Sequence, residues 1–209
     1  MSETMEESGV PPRDKALLRR EKIVSAARRL FIANGFHATG VAQISKESGI
    51  AVGQIYRDFS SKEAIVAEIV RVDCLEFLAD DELRQGIETS NADLVWAWID
   101  AFIDSPPNGS DPLFAEIVSE STRNDRVAAI FEGTREHVRH TMFAALEVLA
   151  PGDAFAENRK GLVNLILSIS LGLMQHRFLS DPGDTKCAAE LALKMLRAEI
   201  ASMRETVGN

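Results

Sequence analysis

Two cysteines among 209 residues leave no room for a disulfide framework. Cys74 and Cys187 lie far apart and outside any CxxC or Cys/His pattern, so buried free thiols in a reducing cytoplasm are expected. A redox-sensing pair is the alternative. No apolar run reaches the roughly 18 residues of a membrane span, and no membrane partner is expected. Residues 1–12 hold three Glu, two Pro and no Lys or Arg. They form no apolar stretch, which argues against a signal peptide and predicts a disordered lead over residues 1–16. The chain also lacks a Gly-rich phosphate loop, HExxH and GxSxG, and its four His have no evident nucleophile beside them. Neither catalysis nor a cofactor is expected. Strand alternation and internal repeats are missing too, which leaves an all-α fold.

What is present is a soluble globular composition, 45% hydrophobic and 26% charged, with a net charge of -9. That charge is unevenly placed. Residues 13–71 carry eleven Lys and Arg against six Asp and Glu, whereas residues 72–209 carry twelve against twenty-three. The basic segment suits attraction to phosphates, and the acidic remainder discourages non-specific coating of nucleic acid.

Inside the basic segment the apolar residues recur at helical spacing. Ile23, Ala26, Ala27, Leu30 and Phe31 mark one face of a first helix, with Arg19, Arg20, Lys22 and Arg28 outside the stripe. Asn34-Gly35 ends it and Phe36 follows as an anchor. Thr39 is placed to cap a second helix, which buries Val41 and Ile44 and ends at Gly49. Ile50 and Ala51 make the turn into a third helix from about Val52 to Phe59, anchored by Ile55 and Phe59. Its outer face is then Val52, Gly53, Gln54, Tyr56 and Arg57. Those residue types suit DNA: Arg pairs with guanine, Gln with adenine, an apolar side chain meets the thymine methyl, and a Tyr hydroxyl reaches a phosphate. Gly53 lets the backbone come close to the groove. Ser60 and Glu63 fit a capping box for a fourth helix, with Lys62 in its first turn set to hold a phosphate.

The string Ala27-x-x-Leu30-Phe31, Asn34-Gly35-Phe36, Ala38-Thr39, Ile44, Ser48-Gly49, Gly53-Gln54-Ile55-Tyr56-Arg57-Asp58-Phe59 and Lys62-Glu63 resembles the DNA-binding domain of the TetR (tetracycline repressor) family. The resemblance covers residues 17–77. It implies that Thr39, the exposed face of the third helix and Lys62 contact DNA, with Tyr56 at the backbone. The chain departs from the common family pattern at Gly40, where many members carry a second Thr, and at Val52, where a polar or basic residue is usual. Both positions remain among the expected DNA contacts.

Residues 78–209 read as a second helical domain for effector binding and dimerisation. The fourth helix is expected to run to about Arg84 or Gly86, with further helices near 91–104, 112–122, 125–149, 154–180 and 185–206. Loops fall at Ser105–Ser110, Ala150–Asp153 and Asp181–Asp184. Asp93, Asp111, Asp153 and Asp184 stand at or near helix starts, where carboxylates are favoured. The 154–180 segment is apolar nearly all round and must be covered all round. A second subunit is the expected cover, as the resemblance to the family's four-helix dimer interface also implies. The expected seam is Leu162, Leu165, Ile166, Ile169, Leu173, Leu191, Met195 and Ile200, with burial inside one subunit as the alternative.

Candidate effector contacts are Trp96, Trp98, Phe102, Phe114, Phe131, His140, Phe143, Met174 and Arg177, with core packing as the competing use of each aromatic. Trp96 and Trp98 lie about 200° apart on one helix and cannot share a cavity. His137 and His140 with Glu136 have a metal-ligand spacing that nothing else in the sequence completes, so no metal is expected. The reading is a cytoplasmic homodimeric regulator that binds double-stranded DNA at a near-palindromic operator. It is expected to repress, and to be released by a small-molecule effector. The alternative is a DNA-binding helical dimer controlled by a protein partner.

Overall fold

A computed structural model describes residues 12–78, 81–104 and 111–207, and every element among them is helical. In chain order these are α1 (Pro12–Asn34), α2 (Val41–Ser48), α3 (Val52–Asp58), α4 (Lys62–Leu78), α5 (Asp81–Glu88), α6 (Ala92–Ile103), α7 (Asp111–Ser121), α8 (Asp125–Leu149), α9 (Ala156–His176) and α10 (Pro182–Val207). A single 3-10 turn, Asp153–Phe155, precedes α9. The chain divides into two compact units, one ending at Ile69 and the other beginning at Val70.

Two boundaries differ from expectation. The first helix begins at Pro12, so residues 12–16 are helical rather than part of a disordered lead. Proline suits a first helical position, because its fixed φ is helical and its missing N–H is not needed there. The fourth helix is described as far as Leu78 and α5 from Asp81, with residues 79 and 80 outside the described residues. Asp81 and Glu82 favour the positive end of that new helix, and Asp81 also takes Arg84 at 2.9 Å. The expected Ser105–Ser110 loop lies outside the described residues.

The first unit closes around Ile23, Ala26, Ala27 and Phe31 of α1, Ile44 of α2, Ile55 of α3, and Ile65, Val66 and Ile69 of α4. Both predicted glycine stops hold. Gly35 has φ 85° and Gly49 has φ 71°, a region costly for any residue with a Cβ. Their N–H groups donate to Phe31 O at 2.8 Å and Ser45 O at 3.0 Å, closing the ends of α1 and α2.

The second unit packs α6, α8, α9 and α10 around Val95, Ile99, Met142, Leu146, Leu162, Ile166 and Leu196. Asn91 and Asn124 cap α6 and α8 through their side-chain oxygens. Arg159 is buried at 2% exposure and donates to the carbonyls of Ala150 and Gly152, each at 2.7 Å. A residue in the sequence-predicted helix thus ties down the turn before it.

The apolar circumference of α9 is largely used within the subunit, because α6, α8 and α10 all pack on it. Of the expected seam, Leu162, Ile166, Leu173 and Ile200 belong to the subunit core and Ile169 is half-buried against it. Leu165 (49% exposed), Leu191 (57%) and Met195 (64%) stay outside. Cys187 is exposed rather than buried, and the side chain of Cys74 lies outside the described residues. No described helix is long and apolar enough to cross a membrane.

Candidate nucleic-acid interface

The turn between α2 and α3 is fixed by its own hydroxyls. Ser45 Oγ donates to Ile50 O at 2.7 Å, and Ile50 N donates to Ser48 Oγ at 3.2 Å. Ile55 at 1% exposure and Phe59 at 4% then anchor α3 from below. Periodicity therefore turns Val52, Gly53, Tyr56 and Arg57 outward, with Val52 39% and Tyr56 53% exposed. A Cβ built on Gly53 meets nothing within 4 Å, so the domain itself does not require glycine there.

A charged clamp from α1 holds the far end of α3. Arg19 donates to the Asp58 carboxylate through two bonds, Nε to Oδ2 at 2.6 Å and Nη2 to Oδ1 at 2.8 Å. Arg20 Nη1 donates to the Asp58 backbone carbonyl at 2.6 Å, and its guanidinium lies 4.2 Å from the centre of the Phe59 ring. A two-pronged Arg–carboxylate pair fixes orientation as well as distance. The hydrogen bond from Arg19 holds the Asp58 carboxyl below its ordinary range. Partial burial opposes this, while the Arg19 charge, a hydrogen bond from Gln54 and the Arg20 charge assist. Arg19 is correspondingly raised. Gln54, expected to face outward, is only half-exposed.

Thr39 is not the cap of α2. Its side chain is fully buried, and its hydroxyl is shared between Gly35 O at 2.9 Å and Leu30 O at 3.2 Å, satisfying carbonyls at the end of α1. Gly40 is the cap residue, and its N–H donates to Gln43 Oε1 at 2.7 Å. Thr39 is thus withdrawn from the surface that the resemblance assigned to it. Lys62 is likewise engaged: Nζ donates to Phe36 O at 2.6 Å and Thr39 O at 3.1 Å, 4.1 Å from the centre of the Phe36 ring. Two of three ammonium protons are therefore spent on the α1–α2 turn. Ser61, rather than Ser60, accepts from Ala64 N at 3.2 Å at the start of α4.

The expected effector contacts are not gathered as one lining. Trp98 is in the core at 3% exposure, stacked on Phe102 with centroids 5.5 Å apart. Trp96, on another side of α6, lies under the Arg197 guanidinium at 4.2 Å. Phe114 meets Phe131 at 5.6 Å, and Phe143 lies 5.1 Å from the guanidinium of Arg159. Met174 is buried, and Arg177 pairs with Asp111 at 3.6 Å. His140 is exposed and pairs with Glu136 at 3.6 Å, so it lines no apolar surface. Among the described residues no group of three His, Cys, Asp or Glu is placed to hold a metal ion.

The sequence profile of the bacterial regulatory proteins of the tetR family matches residues 23–69, from the middle of α1 into α4. Over those residues the chain is similar to the tetR family. The transcriptional regulator UidR of Escherichia coli K12 is 33% identical over 132 residues, covering 60% of this chain and 62% of UidR, so less than two thirds of that relative is spanned. Among solved structures, Salmonella enterica GusR superposes with a TM-score of 0.65 at 24% identity, covering 90% of this chain and 95% of GusR. A transcriptional regulator from Saccharomonospora viridis, solved with choline, gives a TM-score of 0.61 at 18% identity, covering 88% and 96%. Those structural likenesses establish a shared tetR-type fold. The family is one of transcriptional regulators, not enzymes.

Lys62 and Asp58 each carry a measurable consequence. Replacing Lys62 with Met should lower the stability of the free protein by about 1 to 3 kcal/mol, because charged hydrogen bonds to two carbonyls are lost. Thermal unfolding without DNA checks this; an unchanged Tm would mean that the lysine serves only an external anion. Asp58, depressed in the folded state, contributes stability that is fully present above about pH 4 and is lost as pH falls through its folded pKa. Acid titration of Asp58→Asn should therefore show a shallower loss of stability below about pH 4 than the parent chain.

Proposed function

We propose that this chain is a tetR-family regulator, a sequence-specific DNA-binding repressor that acts as a cytoplasmic homodimer and leaves its operator when a small molecule binds residues 78–209. The observation that carries the reading is the outward face of α3. Val52, Gly53, Tyr56 and Arg57 are presented to solvent by a helix held through Ile55, Phe59 and Asp58. A short rigid helix with an exposed Arg and a side-chain-free approach point is what major-groove reading requires. The effector reading is supported by the choline complex of the S. viridis regulator, which shares the fold.

Dimerisation is supported by a stripe that the subunit leaves open. Leu165 with Gly161, Ser168 and Gly172 on α9, and Leu191 with Met195 and Ala198 on α10, are all exposed and recur at helical spacing. Small residues there permit close helix approach, and a two-fold axis through the stripe makes it self-complementary. Leu191→Glu with Met195→Glu should disperse the dimer in sedimentation, whereas an unaltered dimer would place the interface elsewhere.

Substituting Arg57 by Ala should cost about 1 to 3 kcal/mol of discrimination between matched and scrambled duplexes. Gly53→Ala should leave folding intact or gain up to about 1 kcal/mol of helix stability while weakening DNA binding. Titrations at several salt concentrations beside thermal unfolding separate the two effects; full DNA affinity in both variants would remove α3 as the reader.

Release by a ligand requires that the ligand prefer a DNA-incompetent conformation, and reciprocity requires DNA to weaken ligand binding equally. A coupling of about 1 to 3 kcal/mol is expected between operator duplex and a compound found by thermal shift. Equal affinities with and without duplex would favour control by a protein partner.

A further inference from the structure

The residues that open α3 carry no side chain able to form a hydrogen bond. They are Ile50, Ala51, Val52 and Gly53, and the last three are exposed. Val52 has 39% of its surface open to solvent, whereas Ile55 has 1%, so the core makes little use of the valine. Ala51 caps the helix without a side-chain bond, and its carbonyl accepts from Gln54 N at 2.8 Å and Ile55 N at 3.0 Å. The turn before it is set by Gly49 at φ 71° and by the Ser45 and Ser48 hydroxyls, both bonded to the Ile50 backbone. The backbone of Val52 is therefore fixed in the free protein. A β-branched side chain in a helix keeps largely to one rotamer, so its methyl groups are held in place at the surface.

We propose that Val52 reads the C5-methyl group of one thymine in each half-site, so that the opening of α3 discriminates by apolar contact and not by hydrogen bonding. The inference rests on the reading that α3 lies in the major groove. In helix-turn-helix proteins the N-terminal residues of the recognition helix are the ones that meet base edges. The thymine methyl is the apolar feature that base pairs show in that groove, the others being donors and acceptors. Side chains at positions 51 to 53 have nothing to offer a donor or an acceptor. A single exposed valine is ordinary on a protein surface, but this one is flanked by alanine and by glycine, which leave no polar side chain to do the reading in its place. Gly53 also keeps the approach open, since a Cβ built there meets nothing within 4 Å. Tyr56 and Arg57, exposed one turn further on, keep the polar contacts to phosphate and base. A side chain already held in one rotamer loses little freedom when the complex forms.

The test begins with the full-length chain selecting duplexes from a random-sequence library. Each thymine of the selected half-site is then replaced in turn by deoxyuridine, which lacks only the methyl group and keeps every donor and acceptor. One replacement should weaken binding by about fourfold, the worth of burying one methyl-sized group. At that pair 5-methylcytosine opposite guanine should restore the affinity, and unmethylated cytosine should not, because the methyl is the feature that 5-methylcytosine shares with thymine. Val52→Ala should bind the thymine and uracil duplexes equally and keep the preferences at other positions. Arg57→Ala should do the reverse, losing a preference elsewhere while still responding to uracil. Thermal unfolding of Val52→Ala should match the parent, since the valine lies outside the core.

If the parent selects no sequence at all, the reading of α3 as a base reader fails and the proposal with it. If it selects a sequence in which no thymine responds to uracil, the methyl contact alone fails and the wider reading stands. A uracil response that persists unchanged in Val52→Ala would assign the methyl to another residue. Loss of every preference together in folded Val52→Ala would mean that the valine merely supports the helix. Failure of 5-methylcytosine to restore binding would show that the position is read through hydrogen bonds. Each of these last three results overturns the proposal.

Discussion

A helix of seven residues does not hold itself together in water, where isolated helices shorter than about 12 to 15 residues are marginal. Everything expected of α3 therefore depends on what fixes it from outside. Burial of Ile55 and Phe59 supplies the attachment but not the orientation, because apolar contact is non-directional. The Arg19–Asp58 fork and the Arg20 bond to the Asp58 carbonyl supply direction. Two cations of α1 that sequence alone would assign to phosphates are thereby spent inside the protein. Among the other cations of the basic segment, Lys22, Lys46 and Arg57 are exposed.

The same economy appears at the α1–α2 turn. Phe36 fills the core, Thr39 closes the carbonyl end of α1, and Lys62 reaches back from α4 to the carbonyls of Phe36 and Thr39. Thr39 and Lys62 are thus polar groups satisfied by backbone carbonyls of the turn. Two of the side chains that build the turn, Thr39 and Lys62, are ones that the resemblance assigned to DNA. Motif spacing carries the position of a residue correctly while leaving the direction of its side chain open.

That distinction explains what was legible in the sequence. Helices α1 to α3 and their glycine stops were readable, because apolar periodicity and positive-φ glycines are local signals. So was the anchoring of α3 through Ile55 and Phe59. The bond from Arg19 to Asp58 was not, since it joins residues 39 positions apart and either charge on its own reads as surface. In the second unit the apolar content of α9 was plain, but which side meets α6, α8 and α10 depends on how those helices cross. Only burial separates Leu165, Leu191 and Met195 from Leu162, Ile166, Leu173 and Ile200. The aromatics divide for the same reason: Trp98 serves the core and Trp96 an Arg197 contact, while His140 stays in solvent.

In the free protein α3 is set in place by α1. Native-state hydrogen exchange of the free protein measures it most directly, through the amides of Ile55 and Phe59, which bond to the Ala51 and Ile55 carbonyls at 3.0 and 2.8 Å. These amides should exchange only with the global unfolding of the first unit, and Arg19→Met should let α3 open locally while the amides of α1 stay protected. Fast exchange of both amides in the parent chain, or protection of α3 left unchanged by Arg19→Met, would mean that α1 does not hold α3.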